Sequence, residues 1–271
     1  MPESKMIYDI RTSENAKNTL VNLTGVPLSI WNQYVGHERE FDYTYDLVET
    51  VIAKHGKLPQ TYRTFNFIYF HITTSSNGCA SFLKNGILDL PHSYLCPDSE
   101  LRIFLESHNI YINLNRKTLD YRGKTYDIHY DSGDCPRRGT EEYNCWSVGR
   151  KFFYDFTTCG FLSVCDMSPY GGQVHQRPEI LMDIDNLLRT ELSQEWLETH
   201  SAYEVVARVS GENIVYAGYD ERSEREKVLS YLTTAYDTAF GDPFEHIVLI
   251  KNGVCIPPKD ILQITPLEYW K

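Results

Sequence analysis

Two short phrases carry residue types that could do chemistry together. Phe70-His71-Ile72-Thr73 ends an apolar run with an imidazole and a hydroxyl two positions apart. On a strand, both of those side chains point to one face while Ile72 points to the other. Arg177-Pro178-Glu179-Ile180-Leu181-Met182 sets a carboxylate ahead of an aliphatic run. An imidazole and a hydroxyl can grip the hydroxyls of a sugar. A carboxylate can face the positive charge that develops on a sugar carbon as its glycosidic bond breaks. Taken singly, each phrase has a plainer reading: a histidine satisfied inside a core, and a solvated charge at a sheet edge.

The elements that must position these residues are set by local pattern. Residues 65–73 are dense in aromatic and β-branched types and predict a strand. A short helix is expected over 77–84, starting at Ser76 or Asn77 and stopped by Asn85-Gly86. The strand thus delivers His71 and Thr73 to a turn and a helix. Further strands are expected over 151–158, carrying Tyr154, over 161–166, and over 178–184, led by Glu179. Residues 1–60 predict a small helical N-terminal appendage, with helices over 16–23 and 43–55 and a stop at His55-Gly56-Lys57-Leu58-Pro59. Residues 61–271 are then one larger domain. Within it, helices are expected over 99–107, 193–200 and 224–240, and a strand over 110–114. Hairpins are expected over 119–129, turning at Arg122-Gly123, over 203–219, and over 246–256, turning at Asn252-Gly253; 132–144 reads as a loop. Strands in the centre with helices at the flanks make an α+β fold.

Composition bounds the class. With 271 residues, 42% of them hydrophobic, the chain can bury a full core. Its formal charge of −11 opposes sequence-wide attraction to a phosphate backbone, so a nucleic-acid partner would lean on Arg137-Arg138 or Arg150-Lys151. Seven cysteines without close paired spacing, and an N-terminus lacking a basic-then-apolar layout, predict a reducing cytoplasm. No apolar run approaches the roughly 20 residues a bilayer span needs, so no membrane is expected. No metal is expected either: the gap from Cys159 to Cys165 is too long for a zinc knuckle, and no His-x3-His occurs. Cys145 with His175 could be drawn as a thiol and its base, but a buried small hydrophobe explains one cysteine better. A Walker loop and a Gly-x-Gly-x-x-Gly are both missing, which argues against ATP-driven chemistry.

Over residues 63–185 the chain resembles the ADP-ribosyltransferase superfamily. The phrases that carry the resemblance are Phe70-His71-Ile72-Thr73, Phe82-Leu83-Lys84-Asn85-Gly86-Ile87-Leu88 and Arg177-Pro178-Glu179-Ile180-Leu181. In that family a first core strand ends in His-x-Thr, the next helix ends in a Lys/Asn-Gly-Leu/Ile phrase, and a later strand opens with the catalytic Glu followed by aliphatic residues. The separation, 179 − 71 = 108 residues, fits. The resemblance implies an ADP-ribosyltransferase-like split β-sheet core with flanking helices, and NAD as substrate. It implies Glu179 as the catalytic carboxylate, with His71 and Thr73 gripping the adenosine-side ribose. Tyr154, in Gly149-Arg150-Lys151-Phe152-Phe153-Tyr154, would stack on nicotinamide, and the loop before Glu179 would recognise the acceptor. Arg102 or Arg116 would serve if a cation holds the nicotinamide-side phosphate. Two departures matter: there is no Ser-Thr-Ser strand, and Arg177 stands where relatives carry Glu or Gln. The macromolecular acceptor, protein or nucleic acid, is therefore left open. Among microbial members the resemblance implies a toxin or antiviral (phage) defence effector, with an antitoxin or regulatory partner. The competing expectation is a non-catalytic interaction or immunity protein on an α+β fold, which the acidic charge and 13% aromatic content fit equally.

Overall fold

Phe65–Ser75 forms the longest strand, β2, in which every residue is buried except the half-buried His71 and Thr73. The computed structural model describes residues 6–130, 133, 135–164, 173–216, 222–242 and 244–267. They form a mixed helical and sheet protein of the α+β class. The chain divides into two compact units: Met1–His71, Cys159–Ser168 and Val206–Lys251 in the first, and Ile72–Thr158, Pro169–Val205 and Asn252–Lys271 in the second. Strand β2 passes from one to the other between His71 and Ile72. Among the described residues, no helix is long and apolar enough to cross a membrane.

In the first unit, Met6–Tyr8 (β1) runs parallel to β2, with Met6 opposite Phe65. Cys159–Ser163 (β6) lies antiparallel to β2, with Phe70 opposite Phe161. His246–Ile250 (β9) lies antiparallel to β6, and Ile214–Val215 (β8) antiparallel to β9. Ser13–Thr24 (α1) and Thr44–His55 (α3) both pack on Glu224–Phe240 (α10), whose start is fixed by a capping box between Ser223 and Glu226. Tyr8 ties these layers together: its ring meets Phe67 at 4.8 Å and Tyr231 at 5.5 Å, and its hydroxyl donates to the Tyr231 carbonyl at 2.8 Å. The boundary expected near residue 60 therefore falls inside this unit. The reason is pairing and burial: β1 satisfies its backbone beside β2, and α1 and α3 bury their apolar stripes on α10.

The second unit has its own core, in which Leu105, Val148, Phe152, Leu181, Ile184 and Trp196 are buried together. These come from Glu100–Ser107 (α6), Glu141–Phe153 (α7), Glu179–Leu188 (α8) and Leu192–Thr199 (α9). Beside them Ile110–Asn113 (β3), Thr118–Tyr121 (β4) and Lys124–Asp127 (β5) make an antiparallel sheet that turns at Arg122-Gly123, as the pattern predicted.

Four expected elements are different. The strand expected over 151–158 is replaced by the end of α7 at 151–153 and an irregular stretch over 154–158; α7 is capped by Thr140, with Glu141 and Glu142 in its first turn and Arg150 and Lys151 in its last. The strand expected over 178–184 is α8. Its buried residues, Ile180, Leu181, Ile184, Leu187 and Leu188, keep the helical spacing of 1, 4, 7 and 8, and the aliphatic run read alone hides that period. The hairpin expected over 203–219 is replaced by Ser201–Ser210 (β7) and the separate β8, which pairs with β9; residues 217–219 lie outside the described residues. The hairpin at Asn252-Gly253 is replaced by a bridge between Ile87 and Ile256, followed by Ile261–Pro266 (β10), whose next residue donates from Leu267 N to the Ala202 carbonyl at 2.9 Å.

Candidate functional site

His71 is held by its own sheet. Its Nδ1 lies 2.8 Å from the Cys159 carbonyl, which can only accept, so Nδ1 carries the proton and Nε2 is left as an acceptor. Burial lowers the His71 pKa and the Cys159 carbonyl only partly offsets it, so the ring is neutral at pH 7. A neutral ring so oriented accepts from a sugar hydroxyl rather than donating to one. Gly160, next to Cys159, makes room for Tyr69, the neighbour of His71 on the same face: a Cβ at Gly160 would stand 2.4 Å from the Tyr69 ring. The Tyr69 hydroxyl is buried without a hydrogen-bond partner, and burial raises its pKa.

Thr73, the second residue of the second unit's stretch of β2, is half-buried like His71. The opposite face is anchored, since Thr74 Oγ1 accepts from Trp196 Nε1 at 2.8 Å. The next turn is tied down by Glu100, which accepts from Ser75 Oγ at 2.6 Å and from Ser76 N and Oγ at 2.7 Å each. Asn77 Oδ1 then accepts from Ala80 N at 3.1 Å at the start of Ala80–Asn85 (α4), which ends at Gly86. The strand, turn, short helix and glycine expected from the sequence are all present.

Glu179 does not open a strand. It sits in the first turn of α8, where its carboxylate accepts from Lys151 Nζ at 2.8 Å. Lys151 also bonds Asp155 at 3.2 Å, and Arg150 bonds Asp155 at 2.8 Å. Burial raises the pKa of nearby Asp183. Tyr154 is not on a strand either: it caps α7, 59% exposed, with its ring 5.2 Å from Tyr130. The end of α7 thus gathers Tyr154 and, through Lys151, Glu179 in the second unit, while His71 belongs to the first. Arg102 bonds Glu106 at 2.7 Å along α6. The loop expected to recognise the acceptor lies, apart from 173–178, outside the described residues.

A carboxylate that does open an aliphatic core strand occurs elsewhere, at Phe244-Glu245-His246-Ile247-Val248-Leu249-Ile250. Glu245 is half-buried and immediately precedes β9, the second strand over from β2 in the first unit. The Phe244 carbonyl accepts from Ser163 Oγ at 2.8 Å, which pins the entry to β9 against β6. The register continues from Phe70↔Phe161 to Gly160↔Val248, so His71 is level with Val248, three residues past Glu245. Two strand spacings and three residues of rise set Glu245 about 14 Å from His71, Cα to Cα. Alternation puts His246 and Val248 on the His71 face, while Glu245 stands one residue outside the ladder. The residue pattern predicts the strand from His246, with no role expected for Glu245. The signal was there: a Glu before five residues, four of them aliphatic, with Asn252-Gly253 behind them.

Comparisons with protein families, curated proteins and solved structures find no match.

Proposed function

We propose that this chain is an NAD-dependent ADP-ribosyltransferase, with Glu245 in place of Glu179 as the carboxylate that faces the reacting sugar. The observation that supports the reading is that His71 on β2 and the Glu-led aliphatic strand β9 lie two strands apart in the first unit. The spacing suits a substrate made of two riboses joined by a pyrophosphate. The neutral His71 ring accepts a hydrogen bond from the adenosine-side ribose, and Thr73 lies next along the same face of the strand.

Charge dictates the chemistry. Breaking the bond between the nicotinamide nitrogen and ribose C1′ sends the electron pair to nicotinamide and leaves an oxocarbenium-like sugar. Glu245 accepts from the ribose 2′-hydroxyl and faces that cation. At about 4 to 5 Å and an effective dielectric near 20 the attraction is about 4 kcal/mol, or several hundredfold in rate. The acceptor's nucleophile then attacks C1′ and gives up its proton.

The test is release of nicotinamide from NAD by the purified chain, with mass spectrometry of a cell extract for a gain of one ADP-ribosyl group. Glu245→Gln is expected to lose the activity several hundredfold, and Glu179→Gln to keep it within about twofold. The reverse pattern returns the catalytic role to Glu179. No release from the parent protein, with no binding of NAD, leaves a non-catalytic interaction module.

A further inference from the structure

Asp89, His92 and Cys255 take no part in the site above. In the second unit each offers one ligand atom, and the three atoms lie within 4.8 Å of one another. Two stretches far apart in sequence build the group. Asp89 caps Leu90–Leu95 (α5): its Oδ1 accepts from His92 N at 2.9 Å and lies 2.6 Å from His92 Nδ1. Ile87 and Ile256 exchange both backbone hydrogen bonds at 2.9 Å, which brings Cys255 to Asp89. That approach needs Gly86, with its φ of +84°, because a Cβ there would stand 1.9 Å from the Ile256 carbonyl oxygen.

The cap accounts for only half of Asp89. Its side chain is 1% exposed, and Oδ2 is buried with no hydrogen-bond partner. A buried carboxylate oxygen left unpaired is costly, and a cation beside it removes the cost. Cys255 is a free thiol whose pKa burial raises, the opposite of what an activated nucleophile needs. His92 is 55% exposed at its side chain, so the group has one side open to solvent.

We infer that Asp89, His92 and Cys255 form a binding site for a zinc-class divalent ion, with a fourth coordination position open to water. One sulfur, one nitrogen and one oxygen are the donors such an ion takes, whereas Ca²⁺ and Mg²⁺ take oxygen sets. On binding, Cys255 loses its thiol proton to solvent, Asp89 supplies Oδ2, and His92 supplies a neutral ring nitrogen. Carboxylate and thiolate together carry two negative charges, which the ion balances, and no electron is transferred. This site is independent of the transferase reading.

Cobalt(II) is the probe. The full chain, stripped with a chelator, is titrated with Co²⁺ and followed by absorption. Expected are one-to-one saturation, a thiolate-to-cobalt charge-transfer band, the visible bands of a four-coordinate ion, and loss of all of these on adding Zn²⁺. Cys255→Ser should abolish the charge-transfer band, and His92→Ala should weaken binding at least tenfold. Zn²⁺ should raise the melting temperature of the parent and not of either variant. A chain that gives no band, or a band unchanged in Cys255→Ser, overturns the site. His92→Ala alters an exposed side chain, so it carries the test alone should Cys255→Ser misfold.

Discussion

Glu179 and Glu245 each stand before an aliphatic run, yet one opens a helix and the other a strand. After Glu179 the apolar residues continue past the run as Leu187 and Leu188, so a stripe of buried residues covers one side of α8. After Glu245 the run stops at Ile250, and Asn252-Gly253 ends it. Within β9, Val248 and Ile250 are buried while Ile247 is 47% exposed, the alternation of a sheet. The contrast teaches that a carboxylate's role is set by the period of the apolar residues on its C-terminal side. At α8 the charge is held by Lys151 at a helix start; at β9 it stands at the mouth of a strand near the histidine-bearing strand.

The largest expected break in this comparison is catalytic. Glu245→Gln should lower nicotinamide release several hundredfold where Glu179→Gln leaves it unchanged. Next comes stability. Leu181→Ala, in a fully buried position of α8, should cost about 2–5 kcal/mol in denaturant unfolding. Ile247→Ala, on the exposed side of β9, should cost under about 1 kcal/mol. Equal costs would mean that one of the two periods is misread.

Acid should sharpen the contrast more gently. Burial lowers the pKa of His71 and His246 in the first unit, and of His175 and His200 in the second. A folded pKa below the unfolded value, about 6.5, leaves stability intact above that pH and removes it as pH falls toward the folded value. His108 acts the other way. Burial pulls it down, but the Phe104 carbonyl and Glu195 raise it overall, so its contribution is present below about pH 6.5 and lost as pH rises through the folded value. With four histidines against one, the melting temperature should fall between about pH 7 and pH 5. NAD binding should weaken in the same range as His71 takes up a proton at Nε2. A flat profile would count against a buried, neutral His71. The smallest effect belongs to the Lys151–Glu179 pair. With Glu179 45% exposed, a double-mutant cycle of Lys151→Met and Glu179→Gln should give a coupling under about 1 kcal/mol.

Much of the fold was legible where one local signal agreed with the next. Ser223 and Glu226 cap α10, and the helix predicted over 224–240 is the one observed. Ser99 caps α6, and the His71–Thr73 strand leads to a short helix ended by Gly86, as its residue types required. The misreadings fell where a short apolar run was judged without its continuation. Residues 151–154 sit in or just beyond the last turn of a helix that begins ten residues earlier, and 180–184 belong to a stripe that ends at Leu188. For the candidate site, the strand that carries His71 was legible, while the strand expected behind Glu179 is a helix and the Glu-led strand near His71 is β9.

From the order of its residues alone, this chain determines an α+β composition, a strand that exposes His71 and Thr73 on one face, and helices with named caps. These are decided within a few residues by side-chain alternation and by satisfied backbone groups. Tertiary structure alone decides that residues 6–8 join β2, that β9 lies two strands from His71, and that Cys255 reaches Asp89 across more than half the chain. Such pairings depend on which buried surfaces and unpaired backbone groups meet, and a residue's near neighbours in sequence carry no record of that.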